Sequence, residues 1–223
     1  MSDASPGGLT RLQAAVGTLG VVVLGVVLVL VLGMIFGRAE GSRDDGRQIA
    51  STFDRADALD RAGLDVEAGS FVVADGALTA TEVPGGGEPA VALADRHSDE
   101  GRITVTAVAP GPGWAVVVRW EDADDHWAVA VPEDGGPLEL LLVSGGEGSV
   151  VDTAPSPLTP GAVVDVRYDD RRVDVRVDGE LVAHGRGDLV DGRRVGLLTS
   201  APDVAWDDLE IGPRPRPVVR SDG

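Results

Sequence analysis

The stretch Val118 to Val131, VRWEDADDHWAVAV, concentrates the side chains of this chain that could do chemistry. Four carboxylates, one histidine and two tryptophans fall between Trp120 and Trp127. Such a set could hold calcium through oxygen ligands, act as an acid–base site, or cap a polar turn joining two strands. Its calcium candidates are Asp122 and Asp125, with Asp207 and Asp208 as a second pair near the C-terminus. No twelve-residue EF-hand pattern accompanies either pair. Zinc has less support, because His97, His126 and His184 form no short-spaced pair and there is no cysteine. Nucleophilic catalysis finds neither a Gly-x-Ser-x-Gly elbow nor a thiol. The acids between Trp120 and His126 are expected to be turn residues.

Composition narrows the remaining classes. The 223 residues include no lysine, so all 19 basic residues are arginine, and the net charge is −18. Within 53–211 alone, 12 arginines stand against 32 carboxylates. A surface this acidic repels nucleic acid, which is excluded as a partner. The absence of asparagine removes N-glycosylation sequons.

Five segments follow from patterning. Residues 1–11 form a short tail, and 12–37 carry no charge and are dominated by VVVLGVVLVLVLGMIF. At about 1.5 Å per residue, a helix over 12–37 crosses a hydrocarbon core of about 30 Å. The apolar run is longer than a cleavable signal normally carries, so the expectation is a single-pass transmembrane anchor, with a signal peptide as the alternative. Residues 38–52 read as a polar linker, 53–211 as one globular domain, and 212–223 (GPRPRPVVRSDG) as a stiff Pro/Arg tail. Arg38, Arg43 and Arg47 follow the apolar run while only Arg11 precedes it, a bias that favours a cytoplasmic domain.

Within 53–211 the dominant signal is a period of two. Ile103, Val105 and Ala107 alternate with polar residues, and so do Val116, Val118 and Trp120, Trp127, Val129 and Val131, and Val173, Val175 and Val177. Asp75-Gly76, Asp134-Gly135-Gly136 and Asp178-Gly179 punctuate them. About twelve strands without a convincing helix predict an all-β fold of two stacked antiparallel sheets. If the tryptophans of the central hairpin face inward, Arg119, His126, Ala128 and Ala130 face outward. By the same phase Thr104, Thr106 and Glu139 join them in a shallow polar groove, and Trp114 beside the Pro-Gly loop is the candidate exposed aromatic.

The order of segments resembles the laminin-G-like domains of the concanavalin A-like lectin and glucanase superfamily. GLDVEAGSFVVADGALTATE (63–82) resembles their opening strands, and VVVRWEDADDHWAVAV (116–131) their central hairpin. VDVRYDDRRVDVRVDGELVAH (164–184) resembles the late Asp-Gly hairpin, and RVGLLTSAPDVAWDDLEI (194–211) the closing strands. Leu64 and Phe71 stand where tryptophans are frequent, and Asp125-His126 replaces Asn-Tyr. The resemblance implies a jelly-roll sandwich placed outside the membrane, against the arginine bias. It also implies a binding module for glycan or envelope polysaccharide, or a structural module that contacts another envelope protein. The superfamily's hydrolases use a Glu-x-Asp-x-x-Glu strand that is missing here. Asp208 and Glu210 alone could share a face as a carboxylate pair, which makes a glycoside hydrolase the least supported of the three readings.

Overall fold

A computed structural model describes residues 48–96, 99–187 and 191–213 of the 223. The expected anchor at 12–37, most of the linker, His97 and the end of the tail lie outside these residues. Among the described residues, no helix is long and apolar enough to cross a membrane.

Among the described residues the alternating segments become fifteen strands, accompanied by one helical turn, α1 (Ala58–Arg61), and a 3-10 turn at Gly85–Gly87. Sheet A runs β13 (Glu180–Arg186), β12 (Arg172–Val177), β11 (Ala162–Tyr168), β6 (Gly101–Ala109), β15 (Ala205–Gly212), β4 (Ala77–Glu82) and β3 (Ser70–Ala74). A short β1 (Ile49–Ser51) also pairs with β15, so the fold begins inside the segment expected to be linker. Sheet B runs β10 (Glu147–Pro157), β9 (Pro137–Ser144), β8 (His126–Ala130), β7 (Trp114–Trp120), β14 (Arg194–Thr199), β5 (Ala90–Asp95) and β2 (Asp65–Ala68). Pairing is antiparallel throughout, giving the expected two-sheet sandwich.

The period of two explains how the sheets meet. Ile103, Val105, Val164 and Val166 of sheet A share one buried cluster with Val116, Val118, Trp127, Val129 and Leu140 of sheet B. Each such aliphatic side chain contributes roughly 1.5–3 kcal/mol on full burial. The Asp-Gly turns do what two-residue hairpins require. Asp178 (φ 51°) and Gly179 (φ 85°) are both left-handed between β12 and β13, as are Asp75 (φ 53°) and Gly76 (φ 78°) between β3 and β4. Two positive φ values in succession define a type I′ turn, which matches the twist of the strands it joins. One sheet edge is also tied to the other: the His184 N–H of β13 donates to Asp152 Oδ2 of β10 at 2.9 Å. That bond holds the Asp152 carboxyl below its ordinary range.

Candidate functional site

The central hairpin forms in the expected register, with Val118 opposite Trp127 and Val116 opposite Val129. Its acids cap the turn. Asp122 Oδ1 accepts from the N–H groups of Asp124 (2.8 Å) and Asp125 (3.0 Å), and Asp125 Oδ1 accepts from Ser144 Oγ and Gly145 N–H, both at 3.2 Å. Gly146 N–H also donates to the Asp124 carbonyl at 3.0 Å, so this turn is fastened to the β9–β10 turn. The second candidate calcium pair is engaged in the same manner. Asp207 Oδ1 accepts from Phe53 N–H (3.2 Å) and Asp208 N–H (2.7 Å), and Asp208 Oδ2 accepts from Thr106 Oγ1 (3.2 Å). Among the described residues no group of three or more His, Asp or Glu side chains is arranged to hold a metal ion.

The strand phase expected for β7 breaks at one residue. Arg119 has φ 55°, and here a three-residue step on β7, from Val117 to Trp120, faces the two-residue step from Gly196 to Arg194 on β14. This is a β-bulge, and it reverses which face the next side chain occupies. Trp120 therefore leaves the shared core and packs on the outer face of sheet B with Val91, Leu93, Val117 and Ala128. Arg119 is not on that outer face as expected; it is 5% exposed and its Nη1 reaches the Asp99 carbonyl (3.2 Å) and Oδ1 (3.4 Å). Nearby, burial pushes the Tyr168 hydroxyl up to about 12, against the opposing charges of Arg96 and Arg119.

Three further expectations need correction. His126 does lie on the outer face, but it is buried against Trp120, with ring centroids 4.5 Å apart and Nδ1 3.2 Å from the Asp122 carbonyl. Trp114 is fully buried and stacks on Trp206 at 6.2 Å, so it offers no exposed platform. Thr104 and Thr106 belong to β6 of sheet A, whereas Glu139 lies on β9 of sheet B opposite Ala130. The expected groove is thus divided between two sheets.

In its place, sheet B assembles a cluster that includes residues from outside the central hairpin. Arg194 of β14 stands opposite Trp120 and Asp95. Its Nη2 donates to Glu67 Oε1 at 2.7 Å, and its Nε lies 3.0 Å from Asp95 Oδ1 without the alignment of a hydrogen bond. The Arg194 hydrogen bond holds the Glu67 carboxyl below its usual range. Burial acts to lower the Arg194 guanidinium, but Glu67, Asp95 and Asp65 outweigh it and the net shift is upward. Half-buried Leu141 and Leu198 border the group. Nothing local announces this site, because Arg194 and Glu67 are 127 residues apart.

No protein-family model matches the sequence, and no curated protein sequence matches it. Solved structures do. A protein of unknown function with a galectin-like fold from Bacillus subtilis superposes with a TM-score of 0.55 at 14% identity, over 75% of this chain and 96% of that one. A carbohydrate-binding module from Bacillus subtilis gives 0.54 at 13%, over 66% and 94%. A β-1,3-1,4-glucanase (lichenase) from a mouse hindgut metagenome gives 0.51 at 14%, over 74% and 98%. The fold is a concanavalin A-like sandwich.

A concanavalin A-like sandwich can carry a retaining dyad only where two carboxylates stand about 5–5.5 Å apart and free to act. In β15 the bulge at Asp208 (φ 48°) breaks the regular alternation assumed for Asp208 and Glu210. Asp208 accepts from Thr106, and Glu210 Oε1 accepts from Gln48 Nε2 at 2.7 Å. Both act in the sandwich as hydrogen-bond anchors.

The buried histidine makes one pH-dependent prediction. Desolvation holds the His126 imidazole below its ordinary value, while the Asp122 carbonyl and the Asp122, Asp125 and Asp124 charges act in the opposite direction. Folding therefore favours the neutral ring. Its contribution is complete above the unfolded value near pH 6.5 and declines as pH falls below it, until the folded value is passed. Between about pH 7.5 and 5, the wild type is expected to lose more urea stability than His126→Gln. Equal losses would show that His126 titrates as it does in water.

Proposed function

We propose that this chain is a membrane-anchored, extracytoplasmic glycan-binding module whose ligand contacts the outer face of sheet B. The observation that carries the reading is the bulge at Arg119, which turns Trp120 onto that face beside Arg194 and its two carboxylates. Sugar recognition needs apolar contact for C–H faces together with fixed polar groups for hydroxyl pairs. Trp120, Leu141 and Leu198 supply the first, and Arg194, Glu67 and Asp95 the second. Trp120 is only 7% exposed, so its edge rather than its face is offered and the polar group provides most of the contact. The likeness to a carbohydrate-binding module is one of fold, which is weak warrant for function by itself. The apolar share of the same face favours a second reading, an envelope-protein partner in place of a glycan.

The anchor rests on the length and apolarity of 12–37, and the outward orientation on the superfamily resemblance. Protease added to intact cells is expected to digest the domain; survival until the cells are opened would place it inside. A polysaccharide array probed with the full-length chain in detergent separates the two partner classes. Retention of a glycan that Arg194→Ala fails to retain supports the first, and retention of none supports the second.

A further inference from the structure

The outer face of sheet A is a lattice of charges that mostly satisfy one another. Arg102 Nε lies 2.9 Å from Asp165 Oδ1, Arg167 Nη2 lies 2.7 Å from Asp165 Oδ2, and Arg172 Nε pairs with Asp174. The pattern fails at one corner. Arg171, Arg172 and Arg186, with Asp169 and Gly187, line an open cavity of about 650 Å³. The β11–β12 turn builds one wall: Asp169 N–H donates to the Arg172 carbonyl (3.0 Å), and Arg171 N–H to Asp169 Oδ1 (3.0 Å). Gly187 N–H then donates to the Arg171 carbonyl at 3.3 Å, which fastens the end of β13 to that turn.

Two features set this corner apart. Arg172 and Arg186 stand directly opposite each other on β12 and β13, and like charges in that position destabilise a sheet. Arg171 and Arg186 are exposed, and neither has a side-chain ion pair among the described residues. The chain carries 37 carboxylates for 19 arginines, so arginines left without an acid run against its composition. A repulsive cationic corner of this kind gains stability when an external anion occupies it.

We propose that this cavity binds the oxyanion groups of an acidic polysaccharide, carboxylate or phosphate, presented along the polymer. Guanidinium groups match both anions through paired N–H donors, and a cavity of this size admits about one sugar residue. The net charge of −18 does not cancel the site, because at physiological salt fields decay over about 8 Å and the Arg171 and Arg186 guanidinium groups act at contact. This site is on the other sheet from the Trp120–Arg194 cluster and does not depend on the reading of that cluster.

The test uses the full-length chain in detergent with three polymers: polygalacturonate, poly(glycerol phosphate) and neutral dextran. At least one acidic polymer should bind about tenfold more tightly than dextran, and the preference should fade in about 0.5 M salt. The double variant Arg171→Glu/Arg186→Glu should lose roughly tenfold or more of that affinity, whereas Arg55→Glu, an exposed arginine elsewhere, should not. Which acidic polymer is preferred distinguishes carboxylate from phosphate. Binding of neither acidic polymer, equal binding of acidic and neutral polymers, or an equal loss in Arg55→Glu overturns the proposal. Arg194→Ala leaves this preference intact, so failure at one face is read separately from failure at the other.

Discussion

Replacing Trp206 by alanine is expected to lower the stability of the sandwich by about 3–5 kcal/mol. Trp206 is fully buried on β15 of sheet A. Its ring centroid is 6.2 Å from that of Trp114 on β7 of sheet B and 6.2 Å from that of Phe71 on β3. The indole therefore joins the two sheets, and its removal leaves Trp114 and Phe71 facing a void that the β-scaffold cannot close. Because Trp206 Nε1 has no hydrogen-bond partner, the loss is one of packing. Trp206→Phe should accordingly recover a large part of it. Urea unfolding followed by the fluorescence of the remaining tryptophans measures both variants. A loss below about 1 kcal/mol for Trp206→Ala would show that the inter-sheet packing is not as described.

Gly196→Ala is expected to be comparably damaging for a different reason. Gly196 lies on β14, between β5 and β7 in the middle of sheet B. A Cβ at this position would approach the Ala92 carbonyl oxygen at 2.0 Å and the Leu93 Cα at 2.9 Å. Both are backbone atoms of the neighbouring strand, so relief requires separating β14 from β5. Overpacking usually costs about 1–3 kcal/mol, and a clash with backbone belongs at or beyond the upper end. Gly148→Ala is the control, since nothing lies within 4 Å of the position its Cβ would take. The result expected is insoluble protein or a strongly lowered urea midpoint for Gly196→Ala, beside wild-type behaviour for Gly148→Ala. Matching midpoints for the two variants would contradict the registry of β14 with β5.

Much of this fold could be read from residue order, because a strand with one buried face must alternate. Ile103, Val105 and Ala107 entered the core as the period required, and the Asp75-Gly76 and Asp178-Gly179 pairs became type I′ turns. The reading failed where the period continued in the sequence but not in the backbone. Nothing in VVVRW announces a bulge: Arg119 adopts a left-handed conformation that glycine or asparagine more often fills, and Trp120 changes face as a result. The three residues of β1 were too short to show any period. Thr106 occupies the outward phase of β6 while Thr104 beside it is buried, and phase states which side of its own sheet a residue occupies, not which sheet that is. Arg194, Glu67 and Asp95 became neighbours only through the order of strands β7, β14, β5 and β2, a property of topology rather than of local pattern.

The proposed function stands or falls on whether the Trp120–Arg194 face takes a sugar. The most direct measurement is calorimetric titration of the full-length chain, in detergent, with the oligosaccharide best retained on a polysaccharide array. Arg194→Ala and Glu67→Gln are titrated beside it. If that face takes a sugar, the wild type binds saturably and Arg194→Ala binds roughly tenfold or more weakly, where hydrogen bonds from a charged group are lost. Thermal unfolding should remain close to wild type in both variants, since the Arg194–Glu67 pair is partly exposed. Binding unchanged in Arg194→Ala, or no glycan bound by the wild type, would contradict the proposed function.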